Sequence, residues 1–219
     1  MAAWCPPPSR FAIEGVLQSS YPEAVAGYSD VFGACSKLAQ LGFAMVAIDG
    51  LGGAGKSTLA RRLQADLAAV TIVEMDDFYR PMAERQREQL SPVEGVERFF
   101  DWQRLRDEVL APLRAGRTAH FRAYNWDRGT ILDQEVAVEP HGVVIIEGVY
   151  TIRPQLRALW DLRVFLEVPR ALRLARMLAR AENTPAQIAR FMAAEDYYFA
   201  TFAPNEVADI IVNDAALGS

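Results

Sequence analysis

Residues 43–60, FAMVAIDGLGGAGKSTLA, constrain the fold more than any other stretch of the chain. The apolar run 43–48 is continuous rather than alternating, the pattern of a strand buried on both faces of a sheet. From Ser57 to Ala69 the residues Leu59, Leu63 and Leu67 recur on one face of a helix. Between strand and helix, Gly50-Leu51-Gly52-Gly53-Ala54-Gly55-Lys56-Ser57 fits G-x-x-x-x-G-K-[ST]. The glycines let the backbone wrap a polyphosphate with its N–H groups turned inward. The helix behind adds unpaired amides and the positive end of its dipole. Lys56 is then placed for the β- and γ-phosphates and the Ser57 hydroxyl for Mg²⁺, with Thr58 beside them in the first helical turn. The expected ligand is a nucleoside triphosphate. No N-K-x-D motif for reading guanine occurs, which argues against a GTPase.

The rest of the chain repeats the same alternation. Residues 70–75, 142–148, 162–168 and 208–212 read as further strands. Helical spacing covers 22–41, 100–116, a segment opened by Pro169 and running to about 180, and 184–200. TAHFRAY and QEVAVE bracket NWDRGTILD as a hairpin or excursion from the core. Buried strands alternating with helices predict an α/β fold on a mostly parallel five-stranded sheet. The expected organisation is an N-terminal arm and helix over 1–40, then one domain over 41–219. That domain carries a substrate-side insertion at about 76–140 and a lid at about 173–203.

Composition excludes several function classes. A formal net charge of −5 over 219 residues argues against a nucleic-acid binder, which needs basic surface to neutralise phosphates. Cys5 and Cys35 form no C-x-x-C pair, and with two histidines they are poor material for structural zinc. No apolar run reaches the length of a membrane span, and the opening MAAWCPPPSRF lacks a secretory pattern. The expectation is a cytoplasmic protein with neither a membrane nor a nucleic-acid partner. Arginine outnumbers lysine 21 to 2, so Lys56 is one of two lysines in the chain.

Three further patterns bear chemistry. Asp76 and Asp77 follow the second strand, at the sheet edge where ligands of open parallel sheets gather. One acid there suits a base that draws a proton from an attacking hydroxyl, the other a cap for the following turn; Asp76 is the preferred base over Asp77. Glu147 ends the strand VVIIE, where a carboxylate that holds Mg²⁺ is expected, the alternative being a surface glutamate just past the strand. Arg173, Arg176 and Arg180 share one helix face, which suits either bracketing of phosphates or simple solvation.

The series IDGLGGAGKST, DDFY, FDWQRL, AYNW, VVIIEG, RLARMLAR and ADIIV, in this order, resembles the uridine kinase, phosphoribulokinase and pantothenate kinase group of P-loop kinases. The resemblance runs from about residue 43 to 212. It implies a three-layer, NMP-kinase-like P-loop NTPase fold and transfer of the ATP γ-phosphate to a hydroxyl on a small acceptor. By the same resemblance Asp76 is the catalytic base opening a D-x-F-Y element and Tyr79 an acceptor contact. Glu147 is the metal-associated acid, Tyr124 opens the substrate-side segment, and Arg176 and Arg180 are lid arginines that close on phosphates.

The chain departs from the family on the acceptor side. Gly129 stands where uridine kinases carry a base-reading histidine, and Asn125 replaces the Asp of a Tyr-Asp step. Arg98 falls where a ribose-binding aspartate is expected, and Ala181 replaces an Asp after Arg180. Arg98 therefore enters as an acceptor contact that suits an acidic or phosphorylated molecule. The leading expectation is an ATP-dependent small-molecule kinase, uridine kinase-like, that forms homo-oligomers as its relatives often do. The alternative is an ATP-binding switch or adaptor with weak ATPase activity and no acceptor.

Overall fold

The computed structural model describes residues 26–213. Its sheet has five strands: β1 (Phe43–Gly50), β2 (Val70–Glu74), β5 (Gly142–Glu147), β6 (Leu162–Glu167) and β7 (Ile210–Asn213), in the order β2-β5-β1-β6-β7. All four pairings are parallel, so the sheet is parallel throughout. Right-handed crossovers between parallel strands need helices on both faces, and these supply the outer two layers.

Position in the sheet decides which strands are wholly apolar. Every residue of β5 is buried, and in β1 all but the first, because both lie inside the sheet. Met45, Ala47, Val144 and Ile146 point to one face, and Ala44, Val46, Ile48, Val143 and Ile145 to the other. Burying each larger side chain contributes about 1.5–3 kcal/mol. The edge strand β2 has one buried residue, Val73, among half-buried ones.

One face is covered by α1 (Tyr28–Ala39) and α2 (Lys56–Asp66). Helix α1, expected as part of an N-terminal arm, buries Val31, Cys35 and Leu38 with Val143 and Leu162 of the sheet. Ala26 bridges to Val212, which ties the start of the described chain to β7. Residues 1–25, including Cys5 and the start of the predicted 22–41 helix, lie outside the described residues. The other face carries the insertion and the lid.

The insertion begins with the 3-10 turn Met75–Phe78 and the short helices α3 (Glu84–Arg87) and α4 (Pro92–Arg98). The helix expected over 100–116 is α5, and it is not uniform. Trp102–Arg104 and Ala111–Arg114 are α-helical, while Leu105–Leu110 is wound as π-helix. Pro112 explains the difference. It has no N–H to donate, and its ring crowds the carbonyl four residues back, so widening the turn before it relieves the clash. Strands β3 (Ala119–Asn125) and β4 (Thr130–Val138) form the antiparallel hairpin, with a register shift between Arg122 and Tyr124.

The segment expected as a lid holds two helices, α6 (Arg170–Arg180) and α7 (Pro185–Phe202). The start of α7 is written in Thr184-Pro185-Ala186-Gln187. The Thr184 hydroxyl accepts from the Gln187 amide at 3.2 Å, and the Thr184 amide donates to Gln187 Oε1 at 2.8 Å.

Candidate active site

The carboxyl ends of β1, β2, β5 and β6 meet on one edge of the sheet, and every strongly motivated site residue is there. The loop after β1 runs from Leu51 to Gly55 and opens into α2 at Lys56. Gly53 has φ +79°, and a Cβ on it would lie 2.6 Å from the Arg173 carbonyl oxygen, so only glycine allows α6 to come this close. Across that contact, the Gly52 amide donates to Glu195 Oε2 at 2.9 Å. Arg173 Nη1 reaches the Gly52 carbonyl at 3.4 Å and the same Glu195 oxygen at 3.3 Å. Arg173 and Glu195 are each 4 % exposed. Burial raises the Glu195 pKa, and Lys56, the Gly52 amide and Arg173 pull it back.

The three lid arginines divide. Arg173 is buried against the loop backbone and does not reach the cavity. Arg176 donates to the Gly53 carbonyl at 3.4 Å. Arg180 is exposed and lines the cavity over the loop. A second clamp lies beneath the loop: the carboxylate of Asp49, fully buried, accepts from the amides of Gly50 at 2.6 Å and Ile152 at 2.7 Å and from the Tyr198 hydroxyl at 2.7 Å. Sequence reasoning missed both Asp49 and Glu195. Asp49 signals itself only as an acid ending the apolar run of β1, and Glu195 not at all.

A cavity of about 180 Å³ opens over the loop, and Gly52, Gly53, Lys56, Ser57, Asp76 and Glu147 are among the residues that line it. Lys56 Nζ lies 3.4 Å from the Leu51 carbonyl. Glu147, at the end of β5, is 4 % exposed. Burial raises its pKa, while Lys56 and a hydrogen bond with Ser57 oppose the rise. Gly148 follows with φ +149°, and a Cβ there would fall 2.2 Å from that of Met75, so β5 and the turn carrying Asp76 are in contact at this point.

Asp76 lines the cavity and is exposed to solvent, yet its surroundings are dense with protein atoms. Desolvation, followed by the charges of Glu147, Glu74 and Asp77 and opposed by Lys56, pushes its pKa up to about 6. Asp77 is also pushed up to about 6, by desolvation and the charges of Glu74 and Glu147, but it does not line the cavity.

The opposite wall is aromatic: Tyr79, Phe99, Phe100, Trp126, Tyr150 and Phe191. Tyr79 stacks on Trp126 with ring centres 4.6 Å apart, and Tyr124 meets both rings edge-on at 5.3 and 5.1 Å. Burial pushes the Tyr79 phenol up to about 12. Tyr124 thus supports the wall from behind and is not part of the cavity lining. Arg98 is exposed on α4, 4.0 Å from Glu94, and the structure does not bring it to the cavity. Trp126, Phe99, Phe100, Tyr150 and Phe191 were absent from the sequence expectation. A larger groove of about 730 Å³ along the ends of β6 and β7 contains Leu51 but none of Lys56, Ser57, Asp76 and Glu147.

No group of three or more His, Cys, Asp or Glu side chains able to hold a metal occurs among the described residues. The oxygen donors present, Ser57 and Glu147 in mutual hydrogen-bond contact, suit Mg²⁺. That ion keeps several waters and takes one or two protein oxygens alongside substrate phosphates. Among the described residues no helix is long and apolar enough to cross a membrane.

Strand order, the loop between β1 and α2, and acids on the neighbouring strand ends define a P-loop fold of the NMP-kinase type. The chain belongs to the phosphoribulokinase/uridine kinase family, whose description it matches over residues 45–186. It is 26% identical over 138 residues to a uridine kinase of Halobacterium salinarum, 62% of this chain and 61% of that relative's length. A uridine kinase of Borrelia turicatae is 24% identical over 186 residues, covering 79% of this chain and 90% of its own. Among solved structures, a possible uridine kinase from Bacillus stearothermophilus superposes with a TM-score of 0.63 at 22% identity, covering 92% of this chain and 95% of its own. A putative fructose transport system kinase from Silicibacter sp. TM1040 gives 0.59 at 25% identity, covering 92% and 97%.

Proposed function

We propose that the protein transfers the γ-phosphate of ATP to a hydroxyl of a small acceptor. The observation that carries this reading is the convergence of Lys56, Ser57, Asp76 and Glu147 on one side of a cavity whose other side is built for an organic molecule. The loop amides and Lys56 hold the triphosphate, and Arg180 covers it from the lid. Ser57 and Glu147 would hold Mg²⁺, which would offset charge on the phosphates. Asp76 accepts the acceptor's hydroxyl proton as that oxygen bonds to the γ-phosphorus. The bond from phosphorus to the bridging oxygen breaks, and ADP leaves with the electron pair. With a pKa of about 6, Asp76 is mostly ionised at neutral pH and able to take the proton.

A switch or adaptor needs no base beside an aromatic wall, so the cavity favours the kinase reading over weak, acceptor-free ATPase activity. The test is ADP release from Mg²⁺-ATP with and without hydroxylated acceptors, for the native protein and for Asp76→Asn. An acceptor-dependent rate that Asp76→Asn lowers by about 10²–10⁴-fold is expected. ADP release that no acceptor raises, and that Asp76→Asn leaves unchanged, would return the protein to the switch class.

A further inference from the structure

The acceptor wall is specific enough to name a class of molecule. An anionic acceptor needs a cation to meet it, and most cations around the cavity are already committed. Lys56 and Arg180 face the nucleotide. Arg87, 3 % exposed, lies over the Tyr79 ring at 4.1 Å with its Nε 3.8 Å from Glu84. Arg190 pairs with the same Glu84 carboxylate. Arg153, 1 % exposed, binds Glu97 at 2.6 Å and lies against Trp102. Arg98 faces Glu94 on the outside.

The carboxylates are not balanced in the same way. Asp76, Glu147, Glu182 and Glu195 line the cavity against two cations, Lys56 and Arg180. Glu147 belongs with Ser57 and Glu195 with Arg173 and Gly52. Asp76 is left to face the acceptor hydroxyl, and Glu182, in the lid turn, makes no ion pair among the described residues. Two aromatic side chains line the same cavity, although Arg190 already lies over the Phe191 ring at 5.9 Å. Trp126 is 55 % exposed at the hairpin tip, and Phe191 is half-buried on α7. Aromatic faces with a nearby carboxylate attract an alkylammonium group through the ring quadrupole, and a desolvated position strengthens the attraction.

Resting on the kinase reading above, we propose that the acceptor is a small amino alcohol or aminosugar that carries a positive charge. Its ammonium group sits against Trp126 with Glu182 as counter-charge, and its hydroxyl faces Asp76. The cavity is smaller than the roughly 300–1,000 Å³ of sites for drug-sized ligands, which favours a compact molecule.

The test has a kinetic and a binding arm. ADP release is measured with cationic (choline, ethanolamine, glucosamine), neutral (uridine, glucose) and anionic (glycerate, a sugar phosphate) acceptors. Calorimetry measures binding of the same compounds to the protein loaded with a non-hydrolysable ATP analogue. A cation is expected to give the highest kcat/KM. Trp126→Ala is expected to raise KM for that cation about 5- to 30-fold with KM for ATP unchanged, and Trp126→Phe to keep most of the native value. Glu182→Gln is expected to raise KM for the cation and not for a neutral acceptor. A neutral or anionic acceptor that outperforms every cation overturns the proposal and leaves the kinase reading intact. Binding of a cation without any acceptor-dependent turnover overturns the kinase reading and, with it, the acceptor role, leaving only a cation-binding cavity. Binding of no cation in the calorimeter overturns the proposal directly.

Discussion

The two sides of the cavity are built by different means. The side toward the loop draws mainly on one contiguous stretch, Gly50 to Thr58, joined by Asp76 and Glu147 from the neighbouring strand ends and held by buried pairs above and below it. The acceptor side is made of side chains from the turn after β2, the end of α4, the hairpin tip, the turn after β5 and α7. A triphosphate presents the same atoms in every such enzyme, so a loop with fixed N–H directions serves it. Acceptors differ, and a wall of side chains on peripheral elements can change without disturbing the sheet. The first side should therefore fail through structure, the second through affinity.

The largest expected effect tests the phosphate side. Arg173→Leu leaves the Glu195 carboxylate buried without its ion-pair partner, and loss of one member of such a pair costs about 3–5 kcal/mol. Urea unfolding should show that loss. Glu195→Gln should lose less, because its amide oxygen still accepts from Gly52. On the acceptor side, Trp126→Ala should cost less than about 1.5 kcal/mol, the range of an aromatic pair. If it destabilises as much as Arg173→Leu, the contrast between a structural side and an adaptable one is wrong.

The acids after β2 give an intermediate effect that sharpens the boundary between the sides. Asp76 and Asp77 rise from 3.8 to about 6 in the folded protein, so between those values the folded state holds more protons than the unfolded one. Stability contributed by the pair is thus fully present below about pH 3.8 and falls as pH rises through 6. Activity runs the other way: the base must be ionised, so kcat/KM should fall about tenfold per unit below pH 6. The limb belongs to the coupled acids together. Thermal unfolding at pH 8 should show both Asp76→Asn and Asp77→Asn stabilised. Only Asp76→Asn should lose phosphoryl transfer, since Asp77 stands outside the cavity. Loss of transfer in Asp77→Asn alone would exchange their roles.

The same asymmetry explains what could be read from the sequence. Buried parallel strands show as apolar runs and the phosphate loop as a contiguous motif, because both are local in the chain. The five core strands and the positions of Lys56, Ser57, Asp76 and Glu147 are legible in the sequence for that reason. The clamp of Gly52 by Glu195 and Arg173, and the meeting of Trp126 with Tyr79, join residues far apart in sequence with no spacing to mark them. The π-helical stretch of α5 has a visible cause in Pro112, but at six residues it is too short to alter the apolar pattern around Leu105 and Val109.

Arg98 shows where position-by-position reading stops. Its place before the FDW segment marks it as an acceptor contact, which holds only if its side of α4 points at the ligand. In the structure Phe99 and Phe100, the next two residues, turn inward to line the cavity while Arg98 turns out to Glu94. Helical geometry forces this: side chains one position apart point about 100° away from each other, so a buried Phe99 puts Arg98 on the solvent side. Its surface ion pair is worth about 0–1 kcal/mol. Arg98→Ala is accordingly expected to change KM for every acceptor by less than about twofold and stability by less than about 0.5 kcal/mol. A selective rise in KM for an anionic acceptor would mean that α4 rotates on binding. The outward position of Arg98 would then describe only the ligand-free state, and the wall would not be the fixed surface that sets it apart from the rest of the fold.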